Sequence, residues 1–394
     1  MLKQKIADLA TAIHNEVVAT RQHLHANPEL SFHETRTAAF VASKLDELGI
    51  PYQTMANTGL VGLIKGDKPS EAVVALRADL DALPINEANN VPYKSKVEGI
   101  MHACGHDVHT SSLLGTAQIL SKLKNEFGGT VKLIFQPGEE KLPGGASLMI
   151  KEGVLESPKP AAIIGQHVMP LIEAGKVGFR SGKYMASTDE IYVTVRGKGG
   201  HGAQPQQNID PVLIAAHIIV ALQQIVSRLA DPRIPCVLSF GKVIANGATN
   251  VIPNDVYLEG TFRTLDEVWR KQAHEKMKKM AEGIAEAMGG SCEFKIINGY
   301  PFLVNEEKLT AQVRAYAEEY LGKEQVKDLD IWMAGEDFAY YSQVSDACFY
   351  RLGTRNETLG ITSAVHTPTF NIDEKALQVS TGLMAYIAIR YLGN

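Results

Sequence analysis

Residues 130–140 read TVKLIFQPGEE. The apolar run 130–135 predicts a short strand, and Gln136-Pro137-Gly138 ends it in a turn. Two adjacent carboxylates, Glu139 and Glu140, follow at the strand's carboxyl end. Open α/β sheets bind their ligands beyond that end. One carboxylate of such a pair can hold a metal ion while the other moves a proton. Taken by itself, the pair better suits a solvated loop. The surrounding sequence has to decide.

Upstream, residues 1–25 and 35–48 predict helices, the second closed by Gly49. Residues 72–78 (AVVALRA) form an apolar strand, and 108–124 form a helix ended by Phe127-Gly128-Gly129. Downstream, 161–166 (AAIIGQ) is another strand. Near the C-terminus come a helix over 306–321, a strand over 348–352 and a closing helix over 373–391. Alternating elements with nearly unbroken apolar strands indicate an α/β layer whose sheet is covered on both faces.

The middle of the chain has another rhythm. Residues 190–196 (EIYVTVR) alternate like a half-exposed strand. A long helix over 211–229 follows, with Asp210 as N-cap and Pro211 in its first turn. Strands over 237–245 and 256–264, an amphipathic helix over 266–288 and a strand over 291–297 complete the order β-α-β-β-α-β. That order is the ferredoxin-like arrangement. The chain has 394 residues, too many for one ordinary core, so two domains are expected. The reading is an α/β catalytic domain from residues 1–185 and 299–394, interrupted by a ferredoxin-like lid over 186–298.

Composition narrows the function. Apolar residues make up 45% and charged residues 21%, with a net charge of −5, which points to neither nucleic acid nor an anionic membrane as partner. The N-terminal helix lacks the apolar core and cleavage site of a secretory signal. No apolar run reads as long enough for a bilayer; the longest, 212–226, is interrupted by His217, Gln223 and Gln224. Four cysteines, sparse and never in a C-x-x-C pair, fit a reducing cytoplasm.

The densest chemistry is His102-Ala103-Cys104-Gly105-His106-Asp107-Val108-His109, just before a predicted helix. Thiolate and imidazole are good ligands for zinc and similar ions, and a turn can bring Cys104 and His106 to one ion. His167 stands where the strand AAIIGQ ends, and His366 stands in the loop after the strand CFYRL. Either histidine alone reads as structural. Together with the cluster and the Glu139-Glu140 pair they make one ligand set. Asp79 or Asp81, after the strand AVVALRA, can orient a ligating histidine, although Asp81 reads better as a plain strand-end turn. In the middle section His201, bracketed by glycines, can donate to a developing oxyanion or simply occupy a hairpin loop. Asn250 and Arg263 are candidate anchors for a substrate carboxylate, although Arg263 by itself reads as a surface arginine on a strand.

The motifs HACGHDVH, QPGEE, GQHV, GGHGAQP, TNVIP, GTFR, AGEDF and VHTP, in this order, resemble the metallo-aminoacylase and carboxypeptidase family. They are most similar to its branch of hippurate hydrolases, indole-acetyl-amino-acid hydrolases and N-acetyl-diaminopimelate deacetylases, as is His25-Ala26-Asn27-Pro28-Glu29-Leu30-Ser31. The resemblance implies two divalent metal ions per subunit, zinc or manganese, with cobalt or nickel also fitting the donors. It implies Cys104 as a bridging thiolate, His106 and His167 on one ion, and Glu140 and His366 on the other. It further implies Glu139 as general base, His201 as oxyanion donor, Asn250 and Arg263 on the substrate carboxylate, and a homodimer or larger homo-oligomer formed through the lid. Many relatives carry His-x-Asp where this chain has Arg77-Ala78-Asp79, and arginine cannot ligate. The expected activity is hydrolysis of small N-acyl amino acids. A metallo-exopeptidase or dipeptidase and a non-catalytic metal-containing binding protein are the rival readings.

Overall fold

The computed structural model of the chain describes residues 1–393. Helices Leu2–Ala12 (α1), His14–Ala26 (α2) and Thr35–Glu47 (α3) come first. Strands Tyr52–Met55 (β1), Gly59–Lys65 (β2) and Lys68–Asp79 (β3) follow. Then come helix His106–Lys122 (α4), strand Gly128–Gln136 (β4), helix Gly145–Lys151 (α5) and strands Ala162–Glu173 (β5) and Val177–Phe179 (β6). The single helix expected over 1–25 is therefore two. Ile13 breaks it with φ −95° and ψ 0°, and Ile6 and Ala10 before the break and Val17 and Leu24 after it are all buried.

The middle section holds strands Asp189–Arg196 (β7) and Gly200–His201 (β8), helix Pro211–Leu222 (α6), and strands Cys236–Ile244 (β9), Val251–Ile252 (β10) and Asp255–Thr264 (β11). Helix Glu267–Ala287 (α7) and strand Ser291–Asn298 (β12) complete it. The chain ends with helix Glu307–Leu321 (α8), strands Val326–Asp328 (β13) and Asp346–Arg355 (β14), and helix Lys375–Leu392 (α9).

Two compact units emerge. The first takes Met1–Gly182, Val304–Ile331 and the chain from Asp337 onwards; the second takes Lys183–Leu303 and Trp332–Glu336. In the first, eight strands form one mixed sheet in the order β1-β2-β4-β3-β5-β14-β6-β13. The centre is parallel: β4, β3, β5 and β14 run the same way. Successive strand residues point to opposite faces, so unbroken burial means that both faces are covered. β4, β5 through Pro170, β14 and the second half of β3 are buried in this way. Helices α4 and α9 are buried around almost their whole circumference. They lie so close that a Cβ on Gly115 of α4 would stand 2.8 Å from the Thr381 methyl of α9.

The second unit has a four-stranded antiparallel sheet in the order β9-β11-β7-β12, the ferredoxin-like order that its β-α-β-β-α-β sequence predicts. Ile191, Val193 and Val195 of β7 pack with Ile214 and Ile218 of α6 and with Ala273 and Met277 of α7. Asp210 caps α6, its carboxylate accepting from the Val212 and Leu213 amides at 2.8 and 3.2 Å. The helical run Pro211–Leu229, whose last five residues are π-helical, is long and apolar enough in composition to cross a membrane, which corrects the sequence reading. One face of it is core. Val212, Leu213 and Val220 on the remainder are exposed, at 41%, 51% and 73%.

Candidate metal centre

The carboxyl ends of β3 and β4 stop side by side, with Asp79 opposite Gln136 in register. β5 continues beyond them. It pairs with β3 only as far as Arg77 opposite Gly165, so His167 has no neighbour on β3 and its imidazole reaches Cys104 instead. The expectation that His167 marks a strand exit is thus corrected: its own strand runs on to Glu173, and it is the neighbouring strand that ends. Gly105, at φ 86°, turns the chain from Cys104 into α4, which starts at His106 rather than Val108. A Cβ there would lie 2.6 Å from Val168, so both conformation and space require glycine. His366, at φ 62° in its loop, is tied by its amide to the Ala103 carbonyl at 2.8 Å.

Five donors meet as a result. Cys104 Sγ lies 3.3 Å from His167 Nε2 and 3.3 Å from His366 Nε2. Glu140 Oε1 lies 3.3 Å from His366 Nε2 and 3.9 Å from His106 Nε2. Cys104, His106 and His167 form one group with ligand atoms within 4.8 Å of one another, and Cys104, Glu140 and His366 form a second. The thiol is common to both. His106 Nε2 and Glu140 Oε1 are buried without a hydrogen-bond partner, as donors kept for an ion would be. The donor set of soft sulfur, imidazole and carboxylate fits zinc-like ions.

The other two histidines of the cluster are different. His109 Nδ1 sits 2.6 Å from Asp79 Oδ1 while its Nε2 accepts from the Val168 amide at 3.0 Å, so both nitrogens are spent. His102 is fully buried, and burial pulls it down to about 4.

A ring of buried acids and bases fixes the donors. Asp81 is not a plain turn residue. Its backbone carbonyl lies 2.8 Å and its carboxylate 3.2 Å from His106 Nδ1, and the carboxylate accepts the amides of Glu139 and Glu140 at 3.0 and 2.9 Å and the Ser31 hydroxyl at 2.6 Å. It therefore orients one donor imidazole and the loop that bears both glutamates. Asp79 holds His109 and Arg77, with His106 Nε2 at 3.7 Å. Arg77, the departure from His-x-Asp, bridges Asp79 at 2.6 Å and Asp337 at 2.7 Å, and its Nε donates to Gln136 at 2.9 Å. The Asp337 amide in turn donates to Glu139 Oε1 at 3.3 Å. Glu34 accepts the Gly138 amide at 2.8 Å. Sequence reasoning assigned no role to Asp337 or Glu34; the AGEDF motif was the available signal for the first.

The field is strongly negative. Burial alone would lower His106, but Asp79, Asp81 and Glu140 outweigh it and push it up to about 10. Burial, then Glu140, Glu139 and Asp79, raise the Cys104 thiol well above its usual range. A divalent cation would reverse both effects, since it competes with protons for the same atoms. His167 runs the other way. Burial, Arg351 and His109 hold it well below an ordinary histidine, so its ring stays neutral.

The remaining candidates belong to the second unit. His201 on β8 is opposite Val251, and the Gly202 amide donates to the Asn250 carbonyl at 2.8 Å, so these two sites share one exposed loop pair. Arg263 on β11 donates through Nε to the Thr261 hydroxyl at 3.0 Å. Burial lowers its guanidinium, so it is not the freely solvated surface arginine that its local sequence suggests.

Residues 75–390 match the family described as Peptidase family M20/M25/M40. The chain is 43% identical over 309 residues to an N-acyl-L-amino acid amidohydrolase of Geobacillus stearothermophilus, covering 78% of this chain and 83% of that one. It is 37% identical over 394 residues to thermostable carboxypeptidase 2 of Saccharolobus solfataricus, covering 99% of each. Among solved structures it resembles the YXEP protein of Bacillus subtilis, described as a dinuclear metal binding peptidase, with a TM-score of 0.83 and 36% identity over 97% of this chain and 99% of that one.

Proposed function

The chain belongs to peptidase family M20/M25/M40, a family of amide-bond hydrolases, and from that premise we propose that it releases amino acids from small N-acyl amino acids with the help of two divalent ions. The observation that carries this reading is the pair of donor groups sharing Cys104 beside Glu139. His106 and His167 would hold one ion, Glu140 and His366 the other, with the Cys104 thiolate between them. Zinc or manganese suits these donors, and cobalt or nickel also fits. When bound, such ions supply Lewis acidity and make a water acidic near neutral pH.

Glu139 takes the proton from the attacking water. It is buried, and its backbone is fixed by Asp81, so its carboxylate stays within reach of the reacting atoms. Water oxygen bonds to the amide carbon, the C–N bond breaks, and Glu139 returns the proton to the leaving nitrogen. His201 donates to the oxyanion, a contact worth about 3 kcal/mol. Asn250 and Arg263 bind the substrate carboxylate, where a guanidinium offers two parallel donors. Asp79 acts through His109 rather than on the substrate. The exposed apolar residues of α6, with Val243 and Ile244 on the edge strand β9, suit a homodimer formed through the second unit. A reducing compartment such as the cytoplasm suits a chain whose proposed bridging ligand is a free cysteine.

The peptidase reading rests on the carboxypeptidase relative. One experiment separates the two. The protein is stripped of metal, reloaded with zinc or manganese, and offered N-acetyl, N-benzoyl and indole-acetyl amino acids alongside unblocked dipeptides. Metal-dependent release from the blocked substrates is expected. Release from unblocked dipeptides alone would replace the proposal with the peptidase, and no release from folded, metal-loaded protein would leave a binding protein.

A further inference from the structure

A second buried charge cluster adjoins the centre without supplying any of the five donors. Arg21 and His25 on α2, Asp107 on α4 and Glu87 are all buried. His25 Nδ1 lies 2.8 Å from Asp107 Oδ2, and its Nε2 lies 3.1 Å from Glu87 Oε1. Arg21 Nε donates to the same Asp107 oxygen at 2.8 Å.

The protonation of the ring follows from its partners. Asp107 faces the Arg21 guanidinium, and Glu87 Oε2 accepts the Ser95 amide at 2.7 Å. Set against a cation and an amide donor, both carboxylates serve as acceptors. A neutral imidazole can donate once, and its other nitrogen would face a carboxylate lone pair. Only the imidazolium satisfies both contacts. The longer approach of Arg21 Nη2 to His25 Nδ1, 3.4 Å, does not compete with the 2.8 Å carboxylate contact. Burial and Arg21 act against a charged ring, yet Asp107 and Glu87 prevail and His25 is raised above an ordinary histidine. Tyr93, edge-on at 5.6 Å, and His102, at 6.5 Å, complete the groups around it.

The two carboxylates belong to segments that carry or grip donors. Asp107 follows His106 in the first turn of α4. The Glu87 loop holds the chain just after His366: the Ala88 amide donates to the Pro368 carbonyl at 2.8 Å, and the Asn89 side chain donates to the Phe370 carbonyl at 2.9 Å. Asn89 also donates to Glu87 Oε1 at 3.0 Å. We propose that His25 is a positioning residue whose imidazolium, donating to Asp107 and to Glu87, clamps the helix bearing His106 to the loop that holds the His366 segment. Without the two donations of that ring, Asp107 keeps Arg21 and Glu87 keeps the Ser95 amide, but the tie between the two segments is lost.

The proposal rests on the two-metal reading and is tested on the full-length protein in two ways. In 15N-histidine NMR at neutral pH, with His25 assigned by its loss in H25Q, both ring nitrogens are expected to be protonated; one bare nitrogen overturns the proposal. In chelator competition with zinc, H25Q and E87Q should each lose about 10–100-fold in affinity. The double variant should lose little more than either single one, because both break the same clamp. E87Q keeps the ring and serves where H25Q does not fold. Unchanged affinity in the folded variants overturns the clamp alone. A wild-type protein that binds neither zinc nor manganese sinks the two-metal reading and the clamp with it.

Discussion

The candidate residues of the two units are held in opposite ways. In the first unit Cys104, His106 and His167 are buried, Glu140 is half-buried and His366 is exposed, and Asp81 ties His106, Glu139 and Glu140 together through four polar contacts. In the second, His201 and Asn250 lie exposed on a short two-stranded ribbon, and the ring of His201 is held by a bond from the Ala203 amide two residues on. The contrast teaches what each part has to do. Groups that share an ion must be fixed to a few tenths of an ångström. Groups proposed to meet a substrate that comes and goes can be left on a wet surface. The second unit has its own charge cluster elsewhere, where Arg270 and His274 meet the buried Asp189.

The largest effect should come from the proton carrier. Glu139→Gln keeps the size and the backbone contacts but removes the base. Turnover should fall by about 10²–10⁴-fold with metal content unchanged by elemental analysis. Near-normal kcat would remove Glu139 from the chemistry. His201→Ala tests the exposed side of the contrast. The expected loss is about 10²–10³-fold in kcat, with KM and bound metal little altered. A change confined to KM would make His201 a binding residue instead.

The same contrast explains what the sequence could and could not reveal. The five donors were legible because each stands in a short motif of rare residue types at an element edge. The covered sheet was legible because its strands are unbroken apolar runs. Asp81 was not, because its partner His106 is 25 positions away and only the fold brings the carboxylate beneath the imidazole. The three histidines of HACGHDVH look alike locally. What separates them is distant: Asp79 and the β5 backbone spend both nitrogens of His109, while His102 is sealed in. The hairpin of β1 and β2 escaped notice because Gly59 and Gly62 interrupt the apolar pattern of its second strand. Helix α6 was recognised, but its outward apolar face was not, since periodicity cannot say which apolar residues the core leaves uncovered.

Asp81 offers the next sharpest test. Asp81→Asn leaves a polar group of the same shape, and the backbone carbonyl 2.8 Å from His106 Nδ1, but takes away the charge that backs His106 and receives both loop amides. Metal affinity should fall by about 10–100-fold, and kcat should recover when the ion is supplied in excess. If kcat instead stays low at saturating metal, Asp81 matters chiefly for aiming Glu139, and the two carboxylates act as one device.

The smallest expected effect lies in the charge cluster of the second unit. Asp189 accepts Arg270 Nη2 at 2.6 Å and sits 2.6 Å from His274 Nε2. Arg270 also donates to the carbonyls of Thr188 and Gly299, where the chain enters and leaves the sheet. Burial would raise Asp189, but His274 and Arg270 together lower it below an ordinary aspartate. The folded carboxylate therefore releases its proton more readily than the unfolded one. The resulting stability is complete above the ordinary aspartate range and fades as the pH falls through the lowered folded value. Asp189→Asn should cost about 1–2 kcal/mol at pH 7, read from denaturant midpoints. The gap to wild type should close towards acid pH. A gap of the same size at every pH would mean that packing, rather than this charge cluster, holds the start of β7.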